Sequence, residues 1–100
     1  MIIISSRYDF NDPHSLKQHG HDYKEIDFST DLPIRDLSEE ELIAEVSGKK
    51  VLILVHGYNN EQYEVYDAYA VINKYLDEYV ENEYDLVIGY TWPGGDRGVD

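Results

Sequence analysis

Two short, strongly hydrophobic runs stand in the second half of this chain, and a long amphipathic segment joins them. Val51-Leu52-Ile53-Leu54-Val55 leads into the small polar sequence His56-Gly57-Tyr58-Asn59-Asn60. Asp85 to Thr91 repeats the pattern and closes on Trp92-Pro93-Gly94-Gly95. Apolar runs of this length, bounded by turn residues, predict strands buried on both faces, as in a parallel sheet. Between them, Val65, Ala68, Tyr69, Ile72, Leu76, Tyr79 and Val80 recur at helical spacing within Glu61 to Glu81. That periodicity predicts an amphipathic helix, with Tyr63, Tyr66 and Tyr75 widening its apolar stripe and the acidic residues on its wet side. Strand, helix and strand make a βαβ unit over residues 50–93, whose two strands should run parallel.

The first 49 residues are less regular. Ile2 to Ser6 is apolar and β-branched and predicts a first strand. Arg7 to Tyr23 is polar and broken by Pro13 and Gly20, so it reads as a loop. Lys24 to Ser29 alternates charge with hydrophobe, the pattern of a strand with one wet face, near the sheet edge and antiparallel to the first. Asp31 to Asp36 contains Pro33 and reads as a connector. Ser38-Glu39-Glu40-Glu41 is a capping box, since the serine hydroxyl and the third glutamate can each satisfy a free backbone N–H of the other. It opens a short helix of about ten residues, with Leu42, Ile43 and Val46 as its apolar face and Gly48 as its stop.

Composition narrows the function classes. One hundred residues, 42% of them hydrophobic, suffice for one domain with a core. A net charge of −13 disfavours nucleic acid and anionic membrane as partners, because both are bound by basic surface. No apolar run approaches membrane-spanning length, and Met1-Ile2-Ile3-Ile4 is too short for a signal-peptide core. Those two features make the cytoplasm the default expectation; cysteine is absent, which excludes disulfides and thiol chemistry and leaves the compartment undetermined. His14, His19 and His21 stand beside Asp12 and Asp22, and imidazole with carboxylate suits zinc or iron. Their spacing lacks the rigid helical register of a metal-binding His-Glu-x-x-His sequence, so a polar loop is the favoured reading and a metal-binding loop at His14, His19 and His21 a further alternative; no cofactor is expected.

Val55-His56-Gly57-Tyr58-Asn59, the helix after it and the strand ending in Trp92-Pro93 together carry a likeness. Lys50 to Pro93 resembles the early part of an α/β-hydrolase, in the esterase/lipase-like branch with a Val-His-Gly-[Tyr/Phe]-Asn signature. The resemblance implies a partial three-layer α/β fold with about four strands in the order 1-2-4-3, the first strand antiparallel, and one long and one short helix. Val51–Val55 would then form an open edge where a nucleophile-bearing strand pairs. It also implies that the backbone N–H of Tyr58 serves an oxyanion hole, while His56, Gly57 and Asn59 shape the loop and His56 is not the catalytic histidine. The physical reason for such a donor is general: acyl transfer concentrates charge on one oxygen, which a preorganised amide near a helix N-terminus stabilises.

The rest of that machinery is missing from the sequence. Acyl transfer on this fold needs a serine on a Gly-x-Ser-x-Gly elbow, followed by an acid and a histidine. Ser5, Ser6, Ser15, Ser29, Ser38 and Ser47 stand in no such motif, and His14, His19 and His21 precede the oxyanion loop. The expectation is a single incomplete α/β domain, residues 1–49 carrying the N-terminal strands, loop and short helix and 50–93 the βαβ unit. Such a chain would be the N-terminal part of a serine hydrolase for an ester-type substrate, inactive alone. The competing expectation is a non-catalytic half-domain that binds a protein through its open edge, or self-associates as a homodimer or segment-swapped oligomer.

Overall fold

The computed structural model describes residues 1–9, 15–56, 62–79 and 83–93. Their elements are β1 (Ile2–Ser5), β2 (Asp22–Asp27), β3 (Leu32–Leu37), α1 (Glu39–Val46), β4 (Val51–Val55), α2 (Gln62–Tyr79) and β5 (Leu86–Thr91). The chain is of the α/β class, and its strands form one mixed sheet in the order β3-β2-β1-β5-β4. β1, β5 and β4 are mutually parallel, whereas β2 runs antiparallel to both β1 and β3.

The number and the order of the strands differ from the sequence reading. The segment read as a connector is strand β3, so the described sheet has five strands rather than about four. Only its Leu37 is buried, and Pro33 fits because β3 is an edge strand with a register shift opposite Glu25 and Ile26. The order of the first two strands is also exchanged. β1 lies inside the sheet, between β2 and β5, antiparallel to the one and parallel to the other. Ile2 and Ile3 are both buried although they point to opposite faces, and a strand buried on both faces belongs at the centre.

Each face of the sheet carries one helix. Ile3 of β1 and Ile26 of β2 pack with Val65, Tyr66 and Tyr69 of α2. On the opposite face Ile2, Ile88 and Leu37 pack with Leu42 and Val46 of α1. Alternation along the strands separates the two clusters. Gly89 of β5 lets α2 approach closely: a Cβ there would stand 2.5 Å from the Tyr69 ring and 2.8 Å from Ile3 Cδ1.

Local chemistry sets the helix ends. The capping box is present, with Glu41 N–H donating to Ser38 Oγ at 3.1 Å and Ser38 N–H donating to Glu41 Oε1 at 2.8 Å. Gly48 follows α1 at φ +72°, a backbone conformation open to glycine without strain. The stripe on α2 divides: Val65, Tyr66 and Tyr69 are buried, while Ile72, Tyr75 and Tyr79 remain exposed. Val80 lies outside the described residues.

Strand β4 departs from the expectation of burial on both faces. It is the last strand of the sheet, and Ile53 and Val55 are 55% and 64% exposed. With only eight residues, α1 covers its face of the sheet around Val51 and Leu86 and leaves the far end of β4 bare.

Candidate active site at the carboxyl ends of the parallel strands

Ligands of open α/β sheets bind beyond the carboxyl ends of the parallel strands. Here β1, β5 and β4 bring Ser5 to Arg7, Tyr90 to Trp92, and Val55 to His56 to that rim in adjacent positions. His56 occupies the end of the edge strand. Its Nε2 accepts a hydrogen bond from the Trp92 backbone N–H at 2.9 Å, and its ring stacks on the Trp92 indole at 5.2 Å between centroids. Accepting through Nε2 requires that nitrogen to be unprotonated, so a neutral ring carries its proton on Nδ1. In this arrangement Nε2 ties the end of β4 to the end of β5 and is not open to take a proton from a nucleophile.

Beneath this pair, Tyr69 of α2 reaches across the two strands. Its hydroxyl hydrogen is shared between the carbonyl oxygens of Leu54 and Tyr90. Burial pushes the Tyr69 phenol up to about 12, so it stays a donor at physiological pH. Burial also raises Tyr66. Arg7, read from sequence as a loop residue, is fully buried at the end of β1. Its Nε donates to Thr91 Oγ1 at 2.9 Å and its backbone N–H to Ser5 Oγ at 3.1 Å. Ser6 N–H donates to Thr91 O at 3.0 Å, continuing the β1–β5 pairing. The signal for this cluster was its position after an apolar strand; the charge of Arg7 disguised it, because arginine is seldom fully buried.

The loop proposed for catalysis joins β4 to α2, and its ends stand at His56 and Gln62. Gly57, Tyr58 and Asn59 lie outside the described residues, as do His14, Gly94 and Gly95. His21 packs near Tyr23 and edge-on to Tyr90, its Nε2 3.4 Å from the Tyr90 hydroxyl. It borders a cleft of about 390 Å³ between β2 and the start of α1. Lys24 and Asp36 of that cleft pair with each other at 2.6 Å. Among the described residues, no three His, Asp or Glu side chains gather as a metal site. Ser38 is committed to the cap and Ser29 to Asp27.

No family model matches the chain, and neither a curated protein nor a solved structure shows significant similarity to it. Among the described residues no helix is long and apolar enough to cross a membrane.

Proposed function

We propose that this chain is an N-terminal portion of an α/β-hydrolase-type serine hydrolase for an ester-type substrate, supplying the oxyanion loop and the sheet edge but not the nucleophile. One observation carries the reading: β4, the parallel edge strand, ends at a histidine fixed to the end of its neighbour by the Trp92 N–H. That rim is where such folds assemble their chemistry, and the segment after His56 leads directly into α2. In this reading the Tyr58 N–H is the oxyanion donor, Gly57 and Asn59 shape the turn, and His56 is a positioning residue. The nucleophile strand would add to β4, meeting the exposed Ile53 and Val55. A cytoplasmic location is part of this proposal.

Two measurements test the proposal. The 100-residue chain is expected to turn over no aryl ester and to take no label from a fluorophosphonate, since it holds no serine elbow. Serine-dependent turnover by this chain would show that the nucleophile had been misassigned. The gene sequence beyond Asp100 is the second: a strand leading into Gly-x-Ser-x-Gly supports the hydrolase, and a stop codon there refutes it.

A further inference from the structure

We infer that β4 is a self-complementary edge on which a second copy of this chain pairs antiparallel, about a two-fold axis through Ile53. The inference concerns residues 1–100, where β4 ends the described sheet; the nucleophile strand proposed above would take the same edge in place of a second copy. The direction of the backbone is the first argument. Lys50 O accepts from Asp85 N–H at 2.8 Å and from Leu86 N–H at 3.3 Å, so it faces β5. Backbone groups alternate sides along a strand, which turns the N–H and C=O of Val51, Ile53 and Val55 outward, away from β5. In a two-fold pairing centred on Ile53, these three residues form the hydrogen-bonded pairs: Ile53 with Ile53, Val51 with Val55, and Val55 with Val51.

The side chains obey the same symmetry. Val51, Ile53 and Val55 all project from the face that carries α1, and Ile53 and Val55 are the exposed ones. Pairing sets each exposed side chain against an apolar residue of the second copy, where cross-strand neighbours stabilise a sheet. Two five-stranded sheets then become one continuous sheet.

Charge selects a second copy as the occupant. Each chain carries −13, so most surfaces of two copies repel. From Val46 to Asn60 the sequence holds no Asp or Glu, the longest acid-free run in the chain, and it contains Lys49 and Lys50. The open edge falls inside this run. Soluble proteins usually protect edges with charge, proline or a covering element. β3, at the other end of the sheet, has Pro33, Arg35 and Asp36; β4 has none of these.

Light scattering on a size-exclusion column tests the pairing across a dilution series. The expected result is twice the monomer mass for the native chain and the monomer mass for Ile53→Lys, which would bring two ammonium groups together on the axis. A native chain that remains a monomer throughout, or an Ile53→Lys variant that folds by circular dichroism and remains a dimer, overturns the inference. Because Ile53→Lys can also weaken folding, Ile53→Cys gives a second readout in this cysteine-free protein. Hydrogen-bonded antiparallel pairs hold their Cα atoms about 5.5 Å apart, within disulfide reach. Mild oxidation should join Ile53→Cys chains covalently and leave an Ile43→Cys variant, on α1, largely unjoined. Failure of Ile53→Cys to cross-link, or equal cross-linking at both sites, overturns the two-fold register.

Discussion

His56 and Gly89 show how single residues set the geometry of the rim. Replacing His56 with Ala removes the acceptor of the Trp92 N–H and the ring stacked on the indole. Leaving a part-buried donor without a partner costs about 1–3 kcal/mol. Urea unfolding should register that loss. Trp92 is the only tryptophan, so its emission reports the same site, and an unchanged spectrum and midpoint would contradict the arrangement. Gly89 controls the other side of β5. Gly89→Ala would press a methyl group into Tyr69 and Ile3, and overpacking of this kind costs about 1–3 kcal/mol. A lowered thermal midpoint is the expected outcome; a stabilised variant would mean that α2 can move away without loss. A glycine inside an apolar strand hints at a close approach, and that much is legible in sequence. The identity of the approaching ring depends on how α2 crosses the sheet, which periodicity does not specify.

At the scale of elements, the clearest signals were local and closed. Helix α1 was legible because its capping box satisfies its own backbone groups within four residues. Hydrogen bonding from the Ser38 backbone, then from its side chain, holds the Glu41 carboxyl below its ordinary value of 4.5. A carboxyl whose folded pKa is depressed contributes stability above its unfolded pKa and loses it as pH falls toward the folded value. The stability difference between the native chain and Glu41→Gln is therefore expected to be full at neutral pH. It should shrink as the solution is acidified below about pH 4.5. Paired urea titrations at several pH values measure it, and a difference independent of pH would exclude the ionised cap as the cause. β3 was illegible for the opposite reason. Leu32-Pro33-Ile34-Arg35-Asp36-Leu37 buries one side chain, so no period appears, and it is held by pairing with β2 and by Arg35 bonding to Glu25 and Glu45. Those partners lie 5 to 14 positions away, outside the pattern of the segment itself.

At the scale of the whole molecule, the class and the βαβ unit could be read from apolar runs, whereas the apolar run of β4 argued for burial on both faces and its open position came only with the resemblance. The exchange of the first two strands could not be read from the resemblance, which placed β1 outermost. Its own residues pointed the other way: Ile2-Ile3-Ile4 is an unbroken apolar run, and Lys24 to Ser29 alternates, so burial on two faces argued for β1 at the centre. At the candidate site, the sequence marked His56 and Trp92 without revealing that they bind each other, because their contact depends on the register of β4 against β5. The buried Arg7–Thr91 pair was hidden for the same reason, being assembled by residues 84 positions apart.

The place of β1 has a consequence for how the protein is made. Ile2 is synthesised 86 residues before its parallel neighbour Ile88. While translation proceeds from β3 to β5, the nascent chain can form the β1-β2-β3 meander and α1, but Ile3 has no α2 to cover it and β1 has one side unpaired. A central strand of the finished sheet thus waits on the ribosome for its parallel neighbour, and that interval is when a holding chaperone would have its substrate.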